Sequence, residues 1–337
     1  MGKFDSICTS YFGDPDRFAD LFNFALFNGR QMVKASDLAE ADSVLTEKPR
    51  RNRKSFISGS RIVDTAKLWK EQTHLVLLFS EFQNYIDYKM VIRCMRAESI
   101  AYFKQLDALQ LSHENHKDLV SGDDFLSGMR LDDKLSPIVL LVVNFSDSAW
   151  YAPKSLYEIL EDCDSNLKKY ISDYHINLLD YHDHTDFNGF VTDVKKIFEI
   201  YSMKNDRIKL EELTRKDSSY NDLNEDTADF IEEIANIRIP RNEYGGKRNM
   251  CKAIEDMKKD ARAEGIAEGR AEGRAEGRAE GRAEGISESI ISFLSDYSKV
   301  DKPLLDKIYA QKDPDTLNRW LKLAARSGSI EAFVNQM

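Results

Sequence analysis

The sequence predicts an α/β fold with a mixed central sheet flanked by helices, followed by a helical C-terminal extension. The aliphatic run 138–143 is apolar on both faces, which is typical of a central strand. A second apolar run, 75–79, predicts another buried strand. Amphipathic helical segments alternate with these strands, and that alternation indicates an α/β core.

The N-terminal half is predicted to form a helix, a hairpin of two strands, a long amphipathic helix and a polar irregular segment. Apolar side chains recur at helical spacing up to the stop signal Asn28-Gly29. The apolar run before Glu81 can pair with the short segment that contains Asp64. In chain order these elements cover residues 16–28, 61–65 and 74–81, 90–106, and 107–135.

The next part of the chain is predicted to complete the sheet and to cover it. Residues 137–145 form the central strand, and a helix at 153–161 leads to a short strand at 176–181. Connections of this kind between parallel strands are right-handed. Residues 189–236 have a helical pattern whose apolar positions fit either packing onto the core or a helical cap.

Four segments follow from this organisation. A chain of 337 residues allows a catalytic-sized domain with an appendage. The clearest linker contains Pro240 and two glycines. The predicted segments are a core domain at 1–240, a linker and helix start at 241–262, a tetrapeptide repeat at 263–286 and a small helical module at 287–337.

The tetrapeptide repeat consists of six Ala-Glu-Gly-X units, four of which end in Arg. Glu and Arg are two residues apart, so helical neighbours four residues apart carry like charges and repel. Each glycine costs about 1 kcal/mol relative to alanine in a helix. Two interpretations stay open: a weak helical spacer, ordered by self-association through close glycine contacts, and a flexible tether.

Composition excludes several protein classes. The four cysteines are far apart and include no Cys-x-x-Cys pair, which argues against a zinc ribbon or a disulfide framework and for a reducing compartment. The longest aliphatic run, 138–143, is far shorter than the roughly 20 apolar residues of a membrane helix. No secretory signal peptide is visible. We therefore expect a cytoplasmic protein without a membrane partner.

The net charge of −10 is unfavourable for binding nucleic acid, because phosphate contacts depend on Lys and Arg. One segment departs from this balance, since residues 48–61 carry several basic side chains and no acid directly before Asp64. Two interpretations are open, a basic lip beside an acidic site and a solvated loop. The basic residues are Lys48, Arg50, Arg51, Arg53, Lys54 and Arg61.

Two carboxylates are predicted to meet at one end of the hairpin. Period-2 geometry projects Glu81 and Gln83 from the same face of their strand. Asp64 lies on the preceding segment, so hairpin pairing brings it to the same end of the sheet. Mg²⁺ prefers oxygen ligands and usually takes one or two from protein. Asp42 is an alternative to Asp64, which is favoured by its closer spacing to Glu81.

The order Asp64, then Glu81-Phe82-Gln83, then a helix with Arg93 and Tyr102, resembles the PD-(D/E)XK nuclease core, with Gln at the position usually held by Lys. More narrowly, the chain resembles the bacterial Rpn-like recombination-promoting nucleases, also called PD-(D/E)XK family transposases. Further similar segments cover most of the chain: 16–23 and 27–29, 85–93, 124–128, 250–253 and the Glu-Gly-Arg repeats.

The resemblance implies a nuclease domain at 1–240 that hydrolyses DNA phosphodiester bonds with Mg²⁺ or Mn²⁺ in recombination or transposition. Asp64 and Glu81 would hold the metal, and Asp20 resembles an acid that some members place near it. Gln83 can only form hydrogen bonds, because its amide carries neither a charge nor a titratable proton near neutrality. Water activation would therefore depend on the metal.

The resemblance also implies which residues contact DNA, and the residues leave two alternative functions open. Arg93 would clamp a phosphate together with the basic residues of 48–61, and Tyr102 would have a supporting role. A catalytically weak DNA-binding or oligomeric scaffold is one alternative, motivated by Gln83 and the acidic net charge. A toxin-like or phage-defence nuclease is another. The expected partners are DNA and a second copy of the chain, which would form a homo-oligomer through the repeat and the C-terminal helices.

Overall fold

A five-stranded mixed sheet lies at the centre of the larger of two structural units. The computed structural model describes residues 2–41, 63–71, 74–241 and 247–337. The units are Met1–Ile254 and Glu255–Met337. The strands lie side by side in chain order: β1 Leu38–Glu40, β2 Thr65–Glu71, β3 His74–Gln83, β4 Ile138–Asn144 and β5 Asn177–Asp180.

Strand directions change at the middle of this sheet. β1, β2 and β3 pair antiparallel, whereas β3, β4 and β5 pair parallel. The predicted central strand is β4, which has a partner on each side, and the predicted strand at 176–181 is β5. The expectation of a mixed sheet flanked by helices is therefore confirmed.

The first strand of the hairpin lies later in the chain than the sequence predicted. β2 begins at Thr65, so the prediction of a strand at 61–65 is wrong for Val63 and Asp64, which precede it. Lys67 explains why the sequence pattern did not indicate a strand at 65–71. Its side chain is buried and reaches the Glu40 carboxylate of β1, and a lysine at a buried position interrupts the apolar pattern that predicts a strand.

Helices cover both faces of the sheet. One long helix packs against one face, while the first two helices and several later ones belong to the other side. Among the described residues before 250, the helices are α1 Lys3–Phe12, α2 Pro15–Phe27, α3 Met90–His116, α4 Gly122–Ser127, α5 Ser165–Lys168, α6 Val194–Met203, α7 Arg207–Lys216 and α8 Glu225–Ala235.

The long helix α3 buries one stripe of small and apolar side chains against the sheet. Cys94, Ala97 and Ala101 recur at helical spacing and pack with Phe79 of β3 and Leu140 of β4. The predicted helix at 90–106 is thus present, but α3 continues ten residues further, to His116.

Polar contacts account for the extra length of α3. The two ring nitrogens of the buried His113 lie 2.7 Å from Asp118 and 2.9 Å from Asp133, which ties the end of the helix to the following segment. α4 also forms within residues 107–135, so the prediction of an irregular segment there is wrong in part.

The opposite face of the sheet is filled by aromatic rings. Phe82 follows Glu81 on β3, so its side chain projects from the opposite face of the sheet. Its ring stacks on that of Phe12 of α1, with ring centroids 4.7 Å apart. Phe145, just after β4, lies 5.3 Å from Phe198 of α6 and 5.9 Å from Phe230 of α8. α1 was absent from the sequence prediction, whereas the helical pattern at 189–236 is confirmed as α6, α7 and α8.

Residues 153–161 do not form the predicted helix. Ser155 makes an isolated antiparallel bridge with His175, and the Leu156 N–H donates to the Tyr174 carbonyl at 2.8 Å. The Tyr157 N–H donates to the Asp173 carboxylate at 2.9 Å. These backbone groups are engaged by a neighbouring segment, so they do not pair along a helix.

The C-terminal unit is helical. α9 Met250–Ser295 contains the whole repeat, in agreement with the helical interpretation, and side chains 262–282 are exposed. Beyond the repeat, Ile290 and Leu294 pack with three shorter helices around Trp320 and Phe333. These are α10 Lys302–Ala310, α11 Pro314–Ala324 and α12 Ile330–Gln336. Within the described ranges, no helix has the length and apolar character needed to cross a membrane.

Candidate functional site

A charge cluster lies at the carboxyl end of β3, where the strand meets the first turn of α3. The Arg93 guanidinium pairs with the Glu81 carboxylate through Nη2 and with Asp87 Oδ2 through Nη1, the latter at 2.9 Å. Arg93 Nη1 also lies 3.4 Å from Gln83 Oε1. Glu81 and Gln83 share a face of β3, as the period of the strand predicted, and that face is directed at α3.

Burial differs among the members of this cluster. The side chains of Glu81 and Asp87 are 8% and 6% exposed, whereas that of Arg93 is 39% exposed. Burial lowers the pKa of Arg93, but the Glu81 and Asp87 carboxylates raise it by more, so the net shift is upward. Burial raises the pKa of Asp87, yet hydrogen bonds from Lys89 and Arg93 bring it below its ordinary value. The cluster is therefore a salt bridge with one solvent-facing cation.

Asp64, the residue before β2, extends the pairing with β3 by one backbone hydrogen bond and one side-chain hydrogen bond. The Phe82 N–H donates to Asp64 Oδ2 at 2.9 Å, and the Asp64 N–H donates to the Ser80 carbonyl at 3.1 Å. Because the Phe82 nitrogen lies about 2.4 Å from the Glu81 Cα by standard bond lengths, the Asp64 carboxylate lies within about 5 Å of that Cα. The structure thus brings Asp64 to the end of β3 that carries Glu81.

Gln83 and Tyr102 occupy different surroundings. Gln83 Nε2 donates to the Phe82 carbonyl at 3.0 Å, and its Oε1 faces Arg93, so the amide bridges backbone and guanidinium. Tyr102 lies nine residues after Arg93, about 13 Å further along α3. It borders a cleft of about 350 Å³ with Glu98 and Tyr174. A supporting role for Tyr102 at the charge cluster stays a prediction.

Asp20 is buried where α2 meets the segment before α6. The backbone N–H groups of Val191 and Thr192 and the Thr192 hydroxyl donate to its carboxylate at 2.6 to 3.1 Å. These bonds give Asp20 a structural task, because they fix the start of α6 to α2. Its proposed contact with a metal stays a prediction. The other predicted residues lie outside the described residues: Asp42, Arg50, Arg51, Arg53, Lys54 and Arg61.

Sequence reasoning identified Gln83 but missed the two polar side chains that continue its row at the ends of the parallel strands. Gln83, Asn144 and Asp180 occupy matching register positions on β3, β4 and β5. Asp180 accepts hydrogen bonds from Asn144 Nδ2 at 3.1 Å and from the Trp150 N–H at 2.6 Å. Ligands of open α/β sheets bind at the carboxyl ends of strands, so polar residues that end neighbouring strands were an available signal.

The donor types at this end of the sheet suit a hard divalent cation. Asp64 and Glu81 offer carboxylate oxygens, and Mg²⁺ commonly takes one or two carboxylates while keeping several waters. Among the described residues, no group of three or more His, Cys, Asp or Glu side chains is arranged to hold a metal ion. A site here would therefore rest on two protein carboxylates with water completing the coordination.

Comparisons with known proteins add no relative. No protein-family model matches the chain, and no curated protein or solved structure is significantly similar to it.

Proposed function

We propose that the protein is a divalent-metal-dependent DNA endonuclease with a PD-(D/E)XK-like core of the Rpn type, acting in recombination or transposition. The observation that carries the proposal is the placement of the Asp64 carboxylate beside the Glu81 segment, with Arg93 paired to Glu81. The Arg93 guanidinium pairs with two carboxylates, those of Glu81 and Asp87, and a third carboxylate, that of Asp64, lies at the same end of β3, so acidic side chains outnumber this cation there. That excess favours a bound cation.

Asp64 and Glu81 would hold Mg²⁺ or Mn²⁺. The bound ion would supply Lewis-acid polarisation of the phosphate and a more acidic water. Arg93 uses part of its five-donor fork on Glu81 and Asp87, and its exposed portion is free to orient a phosphate oxygen. Gln83 holds the guanidinium in place through its Oε1 and contributes no charge.

The test is cleavage of supercoiled plasmid by the full chain in Mg²⁺ or Mn²⁺. Glu81→Ala and Asp64→Asn should abolish nicking. Glu71→Ala, at the other end of the same hairpin, is the matched control and should cut like the wild type. Circular dichroism checks that each variant is folded. Equal cutting by wild type and Glu81→Ala would end the assignment.

Two alternatives predict different outcomes in the same experiments. A catalytically weak DNA-binding scaffold would shift DNA in a gel after chelation and would not cut it with either metal. A toxin-like or phage-defence nuclease would be toxic on expression, and the toxicity would disappear with Glu81→Ala.

Self-association through the repeat and the C-terminal helices belongs to the same proposal. On an α-helix, residues two apart lie about 200° apart, so Glu and Arg stay on opposite sides of α9 within each unit, and both rows wind around the helix by about 40° per four-residue unit. Where two such helices cross, a parallel pair places Glu against Arg on both flanks of the contact, whereas an antiparallel pair places like charges together. Light scattering on the full chain should show a dimer or larger species; a monomer at high protein concentration would contradict this.

A further inference from the structure

Three tyrosines are exposed at the carboxyl end of the parallel strands. Tyr85, Tyr88 and Tyr151 are 57%, 60% and 66% exposed. Tyr85 and Tyr88 follow β3, and Tyr151 follows β4, the neighbouring parallel strand. The Tyr88 and Tyr151 rings lie 5.9 Å apart at 60° to each other, and the Tyr88 hydroxyl donates to that of Tyr151 at 3.2 Å. We call Tyr88 and Tyr151 the tyrosine pair.

Core packing does not account for the tyrosine pair. Both rings keep more than half of their surface in water, so apolar burial contributes little stability through them. The hydroxyl contact sets the two rings side by side although they come from segments 63 residues apart. The result is a pair of aromatic surfaces that remains accessible to a flat ligand.

Basic side chains run alongside the tyrosine pair. Lys89, Arg93 and Arg96 are spaced i, i+4 and i+7 at the start of α3, which places them on one side of the helix. Lys89 directly follows Tyr88, and Lys89 and Arg96 are exposed. Arg93, in the middle of this row, is the cation that pairs with Glu81 and Asp87. The basic row thus begins at the residue next to Tyr88 and passes through the charge cluster.

Aromatic side chains interleaved with a basic row match the chemistry of unpaired nucleotides. Proteins that bind single strands without sequence preference combine cations that follow the phosphates with aromatic rings on which the bases stack. In a duplex, the bases stack on one another and offer no free face, so a duplex cannot use the tyrosine pair without unstacking. A basic row alone would not distinguish the two forms.

We propose that the tyrosine pair, with Tyr85 and the basic row of α3, binds unpaired bases of single-stranded DNA beside Glu81 and Arg93. The proposal deepens the endonuclease function and rests on it, because it names DNA with a single-stranded segment as the preferred substrate. The strand follows Lys89 and Arg96 with its phosphates, and one or two bases stack on Tyr88 and Tyr151.

Fluorescence anisotropy on the full chain in EDTA tests binding without cleavage. The probe is a fluorescein-labelled oligothymidylate, compared with its duplex and with an abasic strand of the same length, which keeps the phosphates and lacks the bases. The wild type should bind the oligothymidylate more tightly than either. Tyr88→Ala and Tyr151→Ala should weaken that binding about tenfold or more. The conservative variant Tyr88→Phe keeps a ring and should stay within about threefold of the wild type.

Tyr170→Ala is the matched control, since Tyr170 is 86% exposed and lies on another segment of the same unit. It should bind like the wild type. The proposal is overturned by equal affinity for abasic strand and oligothymidylate, by unchanged binding in both alanine variants, or by an equal loss in Tyr88→Phe. Tight base-dependent binding by a wild-type protein that never nicks plasmid would sink the endonuclease and keep the tyrosine pair, so the two failures are distinguishable.

Discussion

Replacing Arg93 with methionine tests whether the charge cluster stabilises the sheet end. Methionine keeps much of the side-chain length and removes a cation that pairs with both Glu81 and Asp87. Removing one partner of a buried ion pair costs about 3–5 kcal/mol because the other charge stays buried. Since 39% of the Arg93 side chain is exposed, solvent screening reduces the expected loss in unfolding free energy to about 2 kcal/mol.

The loss should depend on pH in a defined direction. The pKa of Asp87 is below its ordinary value, so its ion pair contributes stability above the ordinary aspartate pKa, about 3.9, and loses it as the pH falls through the folded value. The difference between wild type and Arg93→Met should therefore be full at pH 7. It should shrink below about pH 4 as the Asp87 carboxylate takes up a proton.

Urea unfolding, read by hydrogen exchange of the β3 and α3 amides, measures the change within the correct unit. Arg96→Met, one turn further along α3, is the matched control and should cost less than about 0.5 kcal/mol. Adding Asp87→Asn to Arg93→Met should recover part of the stability, because the buried carboxylate that has lost its guanidinium is replaced by a neutral amide. Strict additivity of the two substitutions, or a loss equal to that of Arg96→Met, would refute the reasoning.

Three further predictions concern the core, the end of α3 and the repeat. Phe145→Ala should lower the unfolding free energy of the larger unit by about 3–5 kcal/mol in urea, since the Phe145 ring is buried among other aromatic rings. Hydrogen bonds to two aspartates raise the pKa of His113, so its stabilising effect is present below its ordinary pKa and lost as the pH rises through the folded value. His113→Gln should therefore destabilise the end of α3 more at pH 6 than at pH 9, by hydrogen exchange. The double variant Gly269→Ala with Gly273→Ala should raise the free energy of helix opening in the repeat, measured by amide hydrogen exchange, by about 1 kcal/mol per site. Alanine favours the helix over glycine by about that amount, and the added Cβ atoms meet open space.

Each of these has an outcome that would contradict it. Phe103→Ala is the control for the core variant, because Phe103 is largely exposed, and an equal loss in the two would speak against the aromatic cluster. A pH-independent effect of His113→Gln would show that the imidazole is not held as a cation. Unchanged exchange in the double alanine variant would mean that glycine does not limit the helix.

The sequence predicted those elements whose apolar pattern matches their packing. β4 was found because both of its faces are buried, and α2 ends where predicted because Asn28 adopts a left-handed conformation and Gly29 follows with φ 78°. β2 was placed too early because buried Lys67 hides its pattern. The helix at 153–161 was wrong because tertiary hydrogen bonds to 173–175 outweigh its local preference.

The part of the site that follows from local strand geometry could be predicted from the sequence. Strand period and hairpin pairing placed Glu81, Gln83 and Asp64 at one sheet end, since these depend on local geometry. Asp87 was missed because its partner, Arg93, lies six residues away across the turn into α3, and no periodic rule links them. The predicted strand at 176–181 included Asp180, but nothing in its sequence pattern indicated that its carboxylate joins the end of β5 to Asn144 at the end of β4.

The repeat gives α9 a tolerance for changes in copy number. Side chains 262–282 touch no core, so deleting or duplicating one four-residue unit there removes or adds about 6 Å of helix without disturbing any packed residue. Each unit corresponds to twelve nucleotides of coding sequence, so slippage during replication changes the number of units while preserving the reading frame. Length variants of this tract would thus leave the packed parts of the fold unchanged and would alter only how many Glu and Arg side chains the exposed helix presents.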